Sequence, residues 1–217
     1  MAARRDYFDG CGAAHALDLV GERWALLVVR ELLLGPKRFR DLTRGLPTAS
    51  PNVLSQRLRE LEGAGVLRRC RVGPPASVRA YELTERGREL EPVLVALGGW
   101  GRALAMTTPA ELSPDALVLA LRTTFRPEAA AGLLAWIELR TGGDRFALAV
   151  ADGRLELGRG GVEDSDAVLE ADVDVLREVA LQGRPLDEAL AAGTLTVTGS
   201  RRTAARVLAC FAGAAPG

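Results

Sequence analysis

Histidine is almost missing from this chain: its 217 residues include only His15. Ser-His-Asp chemistry and most imidazole metal chemistry fall away unless His15 carries them alone. Cysteine is nearly as scarce. Cys11, Cys70 and Cys210 make an odd count with no metal-ligand spacing, so neither a zinc site nor a disulfide framework is expected. The longest apolar stretches, such as Trp24 to Val29, are far too short to cross a bilayer. The N-terminus reads Met-Ala-Ala-Arg-Arg-Asp with no apolar run behind it. That predicts a cytoplasmic protein with no signal peptide and no membrane insertion. No nucleotide motif is present, and Asp164, Asp166, Asp172 and Asp174 read as turn and cap residues. An enzyme is the weakest of the readings, and no cofactor or metal is expected.

What is present is a globular composition, 48% apolar, with a hidden charge asymmetry behind a net charge of zero. Residues 1–102 carry 17 basic against 12 acidic side chains; residues 103–217 carry 11 against 16. A basic half joined to an acidic half suggests that only the first meets a polyanion, although charges of this size also suit two ordinary solvated surfaces.

Ala14, Leu17, Val20 and then Trp24, Leu27, Val28, Leu32 recur at helical steps. Gly21 divides them into two helices, and Gly35-Pro36 stops the second. A short segment from Lys37 to Gly45 turns Phe39 and Leu42 inward. After the turn Leu46 to Ala49, Ser50-Pro51 predicts a helix start, since serine caps well and proline needs no amide at the first position. That helix runs to about Glu62. Val66 to Val72 and Ser77 to Leu83 alternate as two strands around Gly73-Pro74-Pro75, and Thr84 opens a further helix reaching about Met106. Prolines at 109 and 114 mark a boundary, giving domains 1–108 and 109–217. In the second domain Ala135 to Arg140, Arg145 to Val150 and Arg154 to Leu157 read as strands. Asp172 to Leu181 and Pro185 to Ala192 read as helices, Thr194 to Thr198 as a strand and Arg201 to Phe211 as a last helix. The fold class is α+β.

On a wheel, Leu54, Leu58 and Leu61 form the buried stripe of the Ser50–Glu62 helix. Asn52, Ser55, Gln56 and Arg59 face outward, with Arg57 on a flank. Amides, guanidinium and hydroxyl are the groups that read base edges, and they lie in the first two turns, where a recognition helix meets the major groove. Ser50 and Pro51 place the helix N-terminus, which favours a phosphate. A solvated helix face would look similar in isolation. The preceding short helix, the tight turn, and the hairpin arginines Arg68, Arg69, Arg71 and Arg79 favour the DNA reading.

Residues 11–100 resemble the HxlR family of winged-helix regulators, related to the MarR family. The resemblance lies in Ala16-Leu-Asp-Leu-Val-Gly-Glu-Arg-Trp24, Leu33-Leu-Gly-Pro-Lys-Arg-Phe39, Ser50 to Glu62 and Tyr81-Glu-Leu-Thr-Glu-Arg-Gly87. It implies a homodimer on an inverted-repeat operator, built partly from the N-terminal segment and the helix after the wing. It also implies Ser50–Arg59 as the recognition helix and Gly73-Pro74-Pro75 as the wing tip. Family members often carry a cysteine near the N-terminus, and in some it senses oxidants or electrophiles. Cys11 occupies that place, but Gly12 follows it where proline is common, and Asp6 and Asp9 oppose a thiolate. Trp24 is expected in the core and His15 at the surface.

Residues from about 112 to 211 resemble the sterol-carrier (SCP-2-like) fold through Phe125-Arg-Pro-Glu-Ala, Trp136-Ile-Glu-Leu-Arg, Arg145 to Leu155, Asp164 to Glu170 and Leu195-Thr-Val-Thr-Gly199. That resemblance implies an apolar tunnel for a hydrophobic molecule. Candidate lining residues are Phe125, Leu134, Trp136, Phe146, Leu148, Val150 and Leu155, each of which could equally fill a core. The reading is a DNA-binding regulator, homodimeric, with a second domain taking a hydrophobic effector. Its rivals are a redox regulator switched through Cys11, and a lipid carrier with a vestigial DNA-binding half.

Overall fold

The computed structural model describes residues 7–73, 77–102 and 112–211. They fall into two compact units, Met1–Leu94 and Val95–Gly217. The expected boundary at 108/109 lies outside the described residues.

In the first unit α1 (Gly12–Val20) and α2 (Ala25–Leu32) are separated at Gly21. A Cβ on Gly21 would lie 2.5 Å from the Leu17 carbonyl oxygen, so only glycine permits this tight exit. Trp24, at the N-cap of α2, has φ +77°. It is half-buried, with the Arg23 guanidinium 5.0 Å from its ring centroid, so it closes a turn instead of filling the core. Next come α3 (Phe39–Gly45) and α4 (Pro51–Gly63), joined by a turn whose Leu46 and Ala49 are buried. The strands β1 (Leu67–Val72) and β2 (Val78–Leu83) pair antiparallel, from Leu67 opposite Leu83 to Val72 opposite Val78. Lys37 adds an isolated antiparallel bridge to β2, exchanging both backbone hydrogen bonds with Tyr81 at 2.8 and 2.9 Å. Two helices follow, α5 (Glu85–Arg88) and α6 (Glu91–Arg102). Val28, Val29, Leu32, Leu42, Leu54, Leu58, Leu61, Leu67 and Leu83 form the core, each at most 2% exposed. A leucine buried so fully contributes about 1.5–3 kcal/mol.

Helix α6 crosses from the first unit into the second, which continues with α7 (Pro114–Thr124), where Ser113 accepts from the Ala116 amide at 3.1 Å. A 3₁₀ turn (Pro127–Ala130) leads to β3 (Ala135–Thr141), β4 (Asp144–Ala151) and β5 (Arg154–Arg159). The chain continues through β6 (Ala167–Ala171), α8 (Val173–Leu181), α9 (Leu186–Ala191), β7 (Leu195–Gly199) and α10 (Arg201–Leu208). The sheet order is β5-β4-β3-β6-β7, with β3 and β6 parallel and the other pairs antiparallel. One sheet face carries Ile137, Leu139, Phe146, Leu148 and Leu169; Leu117, Leu121, Leu176, Ala204 and Val207 bring α7, α8 and α10 into the same core.

Candidate nucleic-acid interface

Helix α4 starts as its first residues dictate. Ser50 caps it, its hydroxyl accepting from the Val53 amide at 3.4 Å, and Pro51 occupies the first turn. Leu54, Leu58 and Leu61 are 0–1% exposed, which anchors the helix and fixes its rotation about its own axis. Asn52 and Arg59 are exposed; Ser55 and Gln56 are half-buried. Asn52, Ser55, Gln56 and Arg59 therefore share one side of this helix, with Ser50 and Pro51 at its N-terminal end.

Arg57 does not join them. Its side chain is only 9% exposed, and its Nη1 pairs with Glu60 Oε2 on the same helix and with Glu22 Oε2 at 3.6 Å. The flank position becomes an inward one because two carboxylates are waiting there. The Glu60 carboxylate also accepts from the Gln56 amide at 2.9 Å. Sequence reasoning missed both glutamates, since spacing alone could not bring Glu22 to α4.

The hairpin arginines divide into engaged and available groups. Arg68 Nε donates to Glu82 at 2.8 Å, and Arg69 pairs with Glu62 at 3.1 Å, tying β1 to the end of α4. Arg71 reaches the Ser77 hydroxyl at 3.4 Å. Arg79 is exposed and directly opposite Arg71 in the antiparallel register. Two like charges facing each other across strands destabilise a hairpin, so an anion set between them would relieve the repulsion. Of the expected wing tip, Gly73 is described, at φ +86°; Pro74 and Pro75 lie outside the described residues.

Behind this surface lies a buried carboxylate. Glu31 on α2 is 0% exposed and accepts from Arg30 at 2.8 Å and from Lys37 at 2.7 Å. A Cβ on Gly45 would stand 2.1 Å from Glu31 Oε2, so the end of α3 closes directly onto the carboxylate. Glu31 thus joins α2, the Lys37 bridge and α3. An isolated glutamate inside an apolar periodicity carries no sequence signal for this.

With that geometry in place, residues 19–109 match the HxlR-like helix-turn-helix family. The chain belongs to this family. The transcriptional regulator YvaP of Bacillus subtilis is 43% identical over 86 residues, 39% of this chain and 79% of its own. YodB of the same organism is 38% identical over 86 residues, 39% of this chain and 76% of its own. The regulator sll1512 of Synechocystis is 43% identical over 88 residues, 40% of this chain and 64% of its own. All three are named HTH-type transcriptional regulators. The first curated relatives are matched over less than two thirds of their length, 64% and 59%.

Cys11 is exposed at the N-cap of α1, with its own amide donating to Asp9 Oδ1 at 2.8 Å. The Ala13 and Ala14 amides hold its thiol below the ordinary value. The activating groups are therefore backbone amides of a helix start, which charge-based reasoning about neighbouring side chains overlooks. His15 is exposed.

The residues expected to line an apolar tunnel separate in the second unit. Phe146, Leu148 and Val150 are fully buried, Leu155 is half-buried, and Phe125 packs on Phe211 at 5.9 Å between ring centroids. Leu134 and Trp136 are 63% and 42% exposed. In the register Trp136 falls on the β3 face opposite Ile137 and Leu139, away from the helices. The apolar cavity between sheet and helices has a volume of about 10 Å³, bounded by Leu117, Leu121, Ile137, Leu148, Leu169 and Phe211 among others. That is room for about one water molecule. Of the seven candidates only Leu148 borders it.

Proposed function

We propose that this chain is a DNA-binding transcriptional regulator whose α4 enters the major groove while the β1–β2 hairpin meets the flanking backbone. The observation that carries the reading is the accessible row Asn52, Ser55, Gln56 and Arg59 on a helix anchored by three buried leucines. Family membership supports it. The available Arg71–Arg79 pair supplies phosphate-binding charge beside the helix. The direct test is binding of the wild-type chain to DNA enriched from a randomised duplex library. Gln56→Ala and Arg59→Ala should each cost about 1–3 kcal/mol on that DNA. Binding indifferent to both would refute the assigned face.

The proposed assembly is a homodimer on an inverted repeat. Val93, Leu97 and Trp100 follow one another at helical spacing along α6 and are 50%, 46% and 66% exposed, while Tyr7, Phe8 and Leu17 are exposed around α1. Apolar surface of this kind suits a second copy.

For Val95–Gly217 the proposal is an SCP-2-like unit that takes a hydrophobic effector. A mixed sheet with an all-apolar seam beneath its helices supports this reading. With the cavity near 10 Å³, an effector must part the helices from the sheet to enter. Native mass spectrometry of the purified chain tests this by the mass that co-purifies. A second reading, oxidant sensing, is favoured by the exposed, acidified Cys11. Cys11→Ser should then abolish any loss of DNA binding on oxidation; an unchanged response would exclude the thiol.

A further inference from the structure

Gln56 is held before any DNA arrives. Its Nε2 donates to Glu60 Oε1 at 2.9 Å, and the other oxygen of the same carboxylate accepts from Arg57. A carboxylate only accepts, so it fixes which end of the Gln56 amide turns toward it: the NH₂ group. The second N–H and the carbonyl oxygen remain available. That one-donor, one-acceptor pattern is what a glutamine needs to bond an adenine edge bidentately. Left unheld, the amide could rotate and offer the reverse pattern.

Glu60 is itself held in place. Arg57 is 9% exposed, one turn along a helix whose neighbouring Leu54, Leu58 and Leu61 are buried, so its guanidinium has little freedom. On the far side Glu22 Oε2 lies 3.6 Å from Arg57 Nη1. Glu22 belongs to the turn between α1 and α2, whose path is set by Gly21, with no room for a Cβ, and by Trp24 at φ +77°. A non-glycine residue is held in that region only by the structure around it. Glu22 thus links this turn to α4 through Arg57.

We propose that Glu22, Arg57 and Glu60 are positioning residues that preset the Gln56 amide for one orientation of base-edge recognition. This rests on the DNA-binding reading above and assigns a role that touches no DNA. Arg57 then acts on specificity without neutralising a phosphate.

The experiment uses the full chain and the duplex DNA that the wild type enriches from a randomised library. Discrimination is the ratio of affinities for that duplex and for versions with each A·T pair replaced. In Glu60→Gln the enforced acceptor is lost, because glutamine can present either end of its amide. Discrimination at one A·T pair should fall about fivefold or more. Arg57→Gln should lose discrimination at the same pair, Arg57→Lys should retain part of it, and thermal unfolding of each variant reports that the fold is kept. The slope of log affinity against log salt should match wild type in Arg57→Gln. A phosphate contact would instead lower it by about 0.9. That lower slope, or a Glu60→Gln variant that binds every duplex more tightly with discrimination unchanged, overturns the proposal. Enrichment of no sequence by the wild type defeats the DNA-binding reading itself, a different failure.

Discussion

Replacing Glu31 by glutamine keeps the side-chain volume while removing the charge around which the helix-turn-helix closes. Among the hydrogen bonds that reach this carboxylate are those from Arg30 Nε at 3.2 Å, Arg30 Nη2 at 2.8 Å and Lys37 Nζ at 2.7 Å. The Arg30 and Lys37 side chains are 17% and 10% exposed, so water replaces the lost carboxylate charge poorly. Removing one partner of a buried pair costs about 3–5 kcal/mol, and the modest exposure of Arg30 places this case near the lower figure. Hydrogen exchange is the suitable assay because it reports the first unit separately from the second. A loss of about 3 kcal/mol speeds exchange of the slowest α2 and α4 amides roughly 100-fold when exchange follows the opening equilibrium. Gly45→Ala probes the same closure from the opposite side, through the 2.1 Å approach of its new Cβ to Glu31 Oε2. Its cost should shrink in a Glu31→Ala background, where the obstructing atoms are absent, giving a clear coupling in the double-mutant cycle. An acceleration below about threefold in Glu31→Gln, with additive Gly45→Ala behaviour, would refute the reasoning.

Glu138 gives the second unit an acid limit. Arg145 and Arg140 and the Val162 amide hold its carboxyl at about 2, against the opposing effect of burial. A depressed carboxylate stabilises fully above its unfolded value of about 4.3 and loses that contribution as pH falls toward 2. Acid titration of hydrogen exchange at the β3 amides should show it, and Glu138→Gln should flatten that part of the curve; an unchanged curve would exclude Glu138 as its source. Trp100→Asp places a charge in the exposed α6 stripe and should convert a dimer to monomer in sedimentation equilibrium, whereas an unaltered dimer would remove α6 from the interface. Arg79→Ala should lower the salt slope of DNA binding by about 0.9, with sequence discrimination retained. A slope equal to wild type would take Arg79 off the phosphate backbone.

The first unit was legible wherever a local rule governs. Ser50-Pro51 started α4, the leucine periodicity turned it, and Gly21 and the hairpin alternation supplied most of the remaining order. What stayed hidden was charge brought together by tertiary approach: Glu31 on Lys37, and Glu22 on Arg57. Ser113-Pro114 reads as a boundary, yet it opens α7 by the same chemistry as Ser50-Pro51. In the second unit β6 escaped detection because Ala167-Val-Leu-Glu-Ala171 has helix-forming composition. It is a strand because β3 and β7 pair with it on both sides. Trp136 and Leu134 show the limit of apolar identity as a guide, since a strand places alternate residues on opposite faces.

The parallel pairing of β3 with β6 has a kinetic consequence. Strands β3, β4 and β5 join through tight turns and can assemble from neighbours in the chain, with Gly142 and Gly143 at positive φ in the first turn. Strand β6 must return past all of them to set Ala167 opposite Ile137, and only then can β7 dock on its free edge. Distant pairings bear the entropy of loop closure before any contact rewards them, so they form late. Until β6 arrives, the β3 edge is open and the apolar face beneath it lacks Leu169. Nascent second units are therefore most vulnerable to strand exchange with one another during that interval, and slower folding at high concentration should favour aggregates seeded at β3.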